Sequence, residues 1–119
     1  MADHNELGKK GEQLAIDFLI KNDYKILEKN YRYIKAEVDI IAKKENILAV
    51  IEVKTRSTDY FGNPQDFVNP KKIKLLLSAI DHYVVQKDLD VEVRFDIIAV
   101  IHQNNNTKIE HLEDAFLHF

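Results

Sequence analysis

Hydrophobic residues recur with two different periods along this chain, and the switches between them predict the order α-β-β-β-α-β-β. From residue 6 to residue 22 they return at helical spacing, which predicts an amphipathic helix with the stripe Leu7, Gly11, Leu14, Ala15, Phe18 and Leu19. From Tyr24 to Tyr33, apolar and aromatic residues are scattered among charges, as in an outer strand.

Two stronger strands follow, Glu37–Ala42 and Ile47–Lys54. The polar residues 43–46 between them form a turn short enough for a hairpin. Both strands are apolar on both faces, which is typical of the middle of a covered sheet.

The second half of the chain predicts a helix and two more strands. Asn69 is a favourable N-cap and Pro70 a favourable first helical residue. The apolar stripe of this helix is Ile73, Leu76, Leu77, Ile80 and Val84. A β-branched run at 93–101 predicts a central strand, which turns through an Asn-rich stretch into a short strand at 109–112. The fold class is therefore α/β, with a mixed central sheet flanked by helices.

Composition and charge narrow the class of protein. With 119 residues and 45% hydrophobic residues, we expect a single domain, 1–119, without a linker. The absence of cysteine excludes disulfides, thiolate zinc sites and cysteine nucleophiles. The polar N-terminus lacks the features of a secretory signal and no apolar run approaches membrane-spanning length, so we expect a cytoplasmic protein without membrane contact. A net charge of -3 means that any contact with phosphates must be local.

Three charged residues stand where the strand pattern calls for apolar ones. Asp39 lies in the middle of one strand, and Glu52 and Lys54 end the next, alternating so that both leave the same face. Directly opposed residues of an antiparallel hairpin share a face, so any loop of even length places Asp39 on the face of Glu52 and Lys54. A four-residue loop at 43–46 satisfies this condition, whereas an odd loop would separate the carboxylates.

Two carboxylates beside one lysine suit a shared cation and phosphodiester hydrolysis. Mg²⁺ (or Mn²⁺) needs only one or two protein carboxylates, here Asp39 and Glu52, plus waters and substrate phosphate oxygens. Lys54 is suited to orient the attacking water or to stabilise charge on the phosphate. Glu12, at the margin of the first helix's stripe, is either a further group near the metal or a solvated helix-edge residue. The alternative for the whole cluster is a structural ion-pair network.

Candidate phosphate-binding residues surround this cluster. Arg56 should lie near the same rim, and Arg32 with Lys35 would extend it. Lys71, Lys72 and Lys74 crowd the first turn of the second helix, where free amides and cations form an anion site. A solvated basic turn is an equally good interpretation of Lys72 and Lys74. His82, His102, His111 and His118 show no metal-ligand spacing and are interpreted as surface or core histidines. Asp96 is interpreted as a structural partner of Arg94.

A set of motifs spread along the chain resembles the YraN family, an uncharacterised bacterial group. The motifs are Gly8-x-x-Gly11-Glu12-x-x-Ala15, Asn30-Tyr31-Arg32, Glu37-Val38-Asp39-Ile40-Ile41-Ala42, Ile51-Glu52-Val53-Lys54-Thr55-Arg56, Phe61-Gly62 and Arg94-Phe95-Asp96. That family is similar to the archaeal Holliday-junction resolvases and to the PD-(D/E)xK nucleases, which implies a restriction-endonuclease-like core.

The resemblance also implies residue roles. Asp39 matches the motif's aspartate, Glu52 and Lys54 match its Glu-x-Lys, and Glu12 matches the acidic residue on the first helix of the resolvases. Two positions depart from the pattern: Val38 stands in place of Pro, and Ala36 replaces the Gly that usually precedes Glu37, which affects the bend entering that strand.

The sequence thus leads to a predicted function with two alternatives. We expect a metal-dependent endonuclease acting on structured or branched DNA, and a homodimer by analogy with resolvases, which cut two strands. The alternatives are a non-catalytic nucleic-acid-binding module on the same fold and a structural or partner-binding domain.

Overall fold

The structure, a computed structural model, describes residues 2–57 and 69–115, with side chains described from residue 8 onward. The helices and strands of these residues are α1 (Ala2–Lys21), β1 (Lys25–Tyr33), β2 (Ala36–Lys44), β3 (Ile47–Arg56), α2 (Pro70–Gln86), β4 (Glu92–Gln103) and β5 (Asn106–Leu112). This is the predicted order. Neither α1 nor α2 has the combination of length and apolarity that crossing a membrane requires.

The five strands form one mixed sheet in the order β1-β2-β3-β4-β5. β3 and β4 run parallel, and the other neighbouring pairs are antiparallel. A parallel pair needs a crossover connection, and α2 lies within the one between β3 and β4. β2, β3 and β4 therefore lie inside the sheet, where their near-continuous apolar runs are buried.

Each face of the sheet carries its own hydrophobic core, covered by one helix. On one face α1 contributes Ala15, Ile16 and Leu19, which pack with sheet residues that include Ile40, Ile51 and Ile98. On the other face α2 contributes Leu76, Ile80 and Tyr83, which pack with sheet residues that include Ile41, Val50 and Ile97. Two helices on opposite faces explain why the middle strands are apolar on both sides.

The predicted start of α2 is confirmed, whereas its predicted apolar stripe is partly wrong. The side chain of Asn69 caps the helix by accepting a hydrogen bond of 2.8 Å from the backbone N–H of Lys72. Leu77 is 43% exposed, while Tyr83, absent from the predicted stripe, is buried. The hydroxyl of Tyr83 donates to Glu28 Oε2 at 3.1 Å, which provides the polar partner that a buried tyrosine needs.

The β2–β3 turn is shorter than predicted. β2 continues to Lys44, which pairs with Ile47, so only residues 45 and 46 form the loop instead of 43–46. Both loops have an even length, but the alternation of β2 is interrupted at Asp39, because Val38 packs with Ile41 in the core under α2 whereas Ile40 packs in the core under α1. An even loop therefore does not by itself place Asp39 on the face of Glu52. Leu7, Phe61-Gly62 and His118, which also entered the sequence predictions, lie outside the described side chains.

Asp96 is the buried centre of a structural ion-pair network, as predicted. Its side chain is fully buried and accepts hydrogen bonds from Arg94 Nε at 2.9 Å and from the Asp114 N–H at 3.0 Å, and it lies 2.7 Å from His111 Nε2. Burial alone would raise the pKa of Asp96, but these bonds outweigh it and the pKa lies below its usual value. Arg94 also donates to the hydroxyl of Tyr24, a residue of the core under α1. This hydrogen bond links the Asp96 network to that core.

Candidate active site where the central strands separate

Asp39 lies at the point where β2 and β3 stop pairing. The last paired residues are Ile40 and Ile51, so Asp39 and Glu52 are the first residues beyond the paired part of the two strands, and both line one cleft. Oδ2 of Asp39 accepts a hydrogen bond of 2.8 Å from the backbone N–H of Val53. The carboxylate thus satisfies a strand amide at the end of the ladder, which fixes its position beside Glu52.

Glu52 is held by two lysines from different elements. Its side chain is only 12% exposed, and Oε1 lies 2.8 Å from Lys72 Nζ of α2 and 3.4 Å from Lys54 Nζ of β3. Lys54 shares the face of Glu52 because the two residues are two apart on one strand. Lys72 was predicted to bind phosphate, and the structure places it against this carboxylate, inside the cluster and not on a separate solvated turn.

The pKa of Asp39 is raised from 3.8 to about 6. Burial is the largest cause, the Val53 hydrogen bond opposes it, and the carboxylates of Glu52 and Glu12 raise it further. Lys72 lowers it again. A carboxylate that is buried among others and still mostly ionised at neutral pH is a group that a cation would stabilise.

Glu12 reaches the same region from the opposite face of the sheet. Burial and the nearby Glu37 raise the pKa of Glu12, and its charge in turn acts on Asp39. The sequence left open whether Glu12 is solvated or part of the cluster; the structure places it with Asp39 in two shared clefts. Because the strands separate at Asp39, one aspartate is approached from both faces.

Gly11 allows α1 to approach the strand that carries Glu52. A Cβ at Gly11 would overlap the hydroxyl of Thr55, whereas a Cβ at Gly8, one turn earlier, would meet nothing within 4 Å. The missing side chain therefore sets the distance between α1 and β3, and with it the position of Glu12.

Substitution of these two glycines by alanine should have opposite effects. Gly11→Ala should lower the free energy of unfolding by about 1–3 kcal/mol, because the new methyl group must push α1 from β3. Gly8→Ala should raise it by roughly 0.5–1 kcal/mol, since alanine is the better helix former. Urea unfolding followed by circular dichroism measures both. Equal effects of the two substitutions would contradict the close approach at Gly11.

Three surface clefts meet at Asp39. The largest, about 400 Å³, lies on the α2 side and is lined by Lys35, Ala36, Glu37, Asp39, Glu52, Lys72, Leu75 and Leu76. A second, of about 270 Å³, is lined by Gly8, Glu12, Asp39, Val53, Lys54, Thr55 and Arg56. The third joins Asp39 and Glu12 to Lys29 and Asn30 of β1. We refer to these together as the Asp39 clefts.

The predicted phosphate-binding residues have different positions relative to the Asp39 clefts. Arg56 lines one of them and donates from its guanidinium to the carbonyl of Thr55 at 3.0 Å. Arg32 is exposed near the end of β1, with its guanidinium 3.4 Å from Glu37 Oε2. Lys71 is exposed on the first turn of α2 and does not line the clefts described above. The sequence analysis did not predict Glu37 as a site residue, although it lines the largest of these clefts. No pattern of residue spacing in the sequence indicates this position.

The donor set suits a hard divalent cation that retains waters. Within residues 8–57 and 69–115, no group of three His, Cys, Asp or Glu side chains is arranged to hold a metal ion. Asp39 and Glu52 provide carboxylate oxygens alone, and two such ligands are enough for Mg²⁺ when phosphate oxygens and water complete the shell. The described histidines have other contacts: His82 stacks on Tyr33, and His102 bonds Thr107.

Comparison with known proteins gives one consistent result. A sequence model of the uncharacterised protein family UPF0102 matches residues 11–100, which contain all four predicted catalytic positions. UPF0102 proteins of Christiangramia forsetii and Flavobacterium psychrophilum are 65% and 60% identical over 119 residues, covering the whole of both chains. A UPF0102 protein of Bacteroides thetaiotaomicron is 47% identical over 116 residues, which are 98% of this chain and 96% of the relative.

Proposed function

The chain belongs to the uncharacterised protein family UPF0102, the YraN family that its motifs resemble, and we propose that it is a metal-dependent endonuclease acting on structured or branched DNA. The observation that carries the proposal is that Asp39 and Glu52 line one cleft at the point where β2 and β3 stop pairing, with Lys54 in contact with Glu52. Three clefts open at this point, so an extended phosphodiester has access to it.

Asp39 and Glu52 are the residues that would hold Mg²⁺ or Mn²⁺. Such an ion, when bound, lowers the pKa of a coordinated water and offsets charge on the phosphate oxygens. The raised pKa of Asp39 supports this assignment, because part of the cost of its negative charge comes from Glu52 and Glu12. In the protein without metal, Lys72 and Lys54 neutralise the negative charge of Glu52. When a bound cation neutralises Glu52 instead, the two lysines would contact phosphate.

Each remaining residue of the cluster has a separate task. Lys54 orients the attacking water or stabilises negative charge that develops on the phosphate. Glu12, which reaches Asp39 from the other face, adds negative charge close to the residues that would hold the metal, and its carboxylate would accept a hydrogen bond from a metal-bound water. Arg56, Arg32 and Lys71 contribute phosphate contacts around the clefts, which orient the nucleic acid without reading its sequence.

DNA is the proposed substrate, and a homodimer is the proposed assembly. Cutting both strands of a branch requires two active sites, which a two-fold dimer supplies. The competing function is a non-catalytic nucleic-acid-binding module, which is favoured by the contact of Lys72 with Glu52, since that lysine neutralises the carboxylate without any metal. Under that alternative, DNA binding would be the same with and without divalent ions.

A cleavage screen distinguishes these functions. Purified protein is incubated with labelled linear duplex, flap and four-way-junction DNA in Mg²⁺, Mn²⁺ or EDTA. We expect cleavage of the flap or junction in Mg²⁺ or Mn²⁺ and none in EDTA, because the two carboxylates need a cation to act on a phosphodiester. The Asp39→Asn protein serves as the control for contaminating nucleases. Binding of the same DNA without cleavage in any metal would support the non-catalytic module instead.

A further inference from the structure

Ile34 occupies a turn position that is unfavourable for isoleucine. Residues 34 and 35 form the two-residue turn between β1 and β2, and Ile34 has a φ of 55° with 83% of its surface exposed. The other described non-glycine residues with positive φ are all polar: Asp23, Asn30, Glu45, Asp88, Asn104, Asn105 and Asp114. Because a β-branched residue is strained there and Asn or Gly is not, folding does not explain an isoleucine at this tip.

The hairpin that carries Ile34 is braced against α2. The ring of Tyr33 stacks on His82 with centroids 4.3 Å apart and an interplanar angle of 23°. Two residues earlier, Tyr31 packs edge-on against Tyr83 with centroids 5.1 Å apart. These contacts join the base of the hairpin to α2, and the exposed Ile34 extends beyond them.

The tip also lies beside the candidate active site. Lys35, the neighbour of Ile34 in the turn, lines the same 400 Å³ cleft as Asp39 and Glu52. Arg32, whose side chain is three quarters exposed and whose guanidinium lies 3.4 Å from Glu37 Oε2, adds a second cation at this end of β1. An exposed apolar side chain flanked by cations at the mouth of a cleft matches the chemistry of DNA, which offers phosphates outside and stacked bases inside.

We propose that Ile34 is a wedge that inserts between neighbouring bases of DNA and unstacks them next to the cleft. Apolar side chains inserted at a base step open the stack and bend the duplex. Unstacking costs least where stacking is already interrupted, so the wedge would favour branched DNA over a continuous duplex. This inference rests on the proposed nuclease function, which provides DNA as the substrate. It assigns to Ile34 the preference for branched DNA over continuous duplex.

Base unstacking is measured by the fluorescence of 2-aminopurine placed beside the crossover of a four-way junction, in EDTA so that no cleavage occurs. The wild-type protein should raise this fluorescence at saturation, and Ile34→Asn should remove most of the rise. The preference for junction over duplex, measured by anisotropy, should fall at least about tenfold, in line with the cost of unstacking one step. Ile20→Asn, at an isoleucine of α1 that is 56% exposed, is the matched control and should change neither.

Folding is checked on the same variants. Ile34→Asn should melt at or above the wild-type temperature, because asparagine accepts the positive φ that strains isoleucine. An unchanged fluorescence rise and an unchanged junction preference in Ile34→Asn would overturn the wedge. The wedge would also be rejected if Ile34→Asn changed only the oligomeric state of the protein, since Ile34 would then contact a second copy of the chain.

Failure of the wedge is distinguishable from failure of the proposed function. Metal-dependent cleavage by the wild-type protein together with no effect of Ile34→Asn rejects the wedge alone. Unstacking that depends on Ile34 without cleavage in any metal keeps the wedge and rejects the nuclease. A wild-type protein that binds neither junction nor duplex rejects both.

Discussion

Replacing Lys54 with alanine should lower the rate of DNA cleavage by about 10²–10³-fold, the usual effect of losing one electrostatic stabiliser of a transition state. Fold stability should change by less than about 1 kcal/mol, as for a partly exposed ion pair. Glu52, the carboxylate that Lys54 contacts at 3.4 Å, keeps the shorter contact of 2.8 Å with Lys72, so the substitution does not strand a buried charge. In the absence of metal, Lys54→Ala should be slightly less stable than the wild type, because one of the cations that neutralise the carboxylates is missing. Added Mg²⁺ should remove this difference in stability.

Thermal melts and cleavage assays on Lys54→Ala, each in EDTA and in Mg²⁺, measure the two effects together. Lys25→Ala removes an exposed lysine at the start of β1 and is the matched control, expected to alter neither quantity much. A loss of several kcal/mol that is the same with and without metal, together with unchanged cleavage, would mean that Lys54 is a structural partner of Glu52. That result would reject its catalytic assignment.

Replacing Asp39 with asparagine should abolish metal-dependent cleavage and yet stabilise the metal-free protein at neutral pH. The folded pKa of about 6 lies above the ordinary 3.8, so between these values the folded state binds a proton that the unfolded state does not. The contribution of Asp39 to wild-type stability therefore falls as pH rises from about 4 to about 6, and remains lower above that range. Asparagine has no such charge and keeps an oxygen for the Val53 N–H, so the gain at pH 7 should be roughly 1–3 kcal/mol.

Urea unfolding in EDTA at pH 5 and pH 7.5 measures this gain, which should be smaller at pH 5. Asp96→Asn is the contrasting variant, because the pKa of Asp96 is lowered and its ion-paired carboxylate is fully buried. Its loss should cost about 3–5 kcal/mol at neutral pH. Mg²⁺ binding by the wild type, followed by calorimetry, should weaken as pH falls through about 6, where Asp39 takes up a proton. If Asp39→Asn instead lost stability equally at both pH values, the conclusion that the ionised Asp39 carboxylate destabilises the folded protein would be wrong.

Secondary structure followed closely from the sequence because each element has a strong local signal. The β-branched run of β4 and the Asn69-Pro70 pair that starts α2 need no distant partner to be recognised. The stripe of α2 was less well predicted, since Leu77 and Tyr83 differ in burial only through the position of the helix on the sheet. The spacing of hydrophobic residues predicts that a helix has an apolar face and how wide that face is. It does not predict which residue of the face lies nearest the sheet.

The grouping of Asp39, Glu52 and Lys54 was predicted from strand alternation and an even hairpin loop, two local properties of the chain. The register of the two strands differs from the predicted one by two residues, because the loop has two residues instead of four. Sequence alternation is preserved by any even shift, so it cannot choose among such registers.

Only the tertiary structure brought Lys72, Glu12 and Gly11 to this cluster. Lys72 contacts Glu52 across 20 positions of sequence, and Glu12 acts on Asp39 from the opposite face of the sheet. The sequence by itself determined which residues carry charge and which strands they lie on, because these depend on residue type and on spacing along one element. Which charges meet depends on how two helices pack on a twisted sheet and where its strands separate, and these are set by the sum of many weak contacts between distant residues.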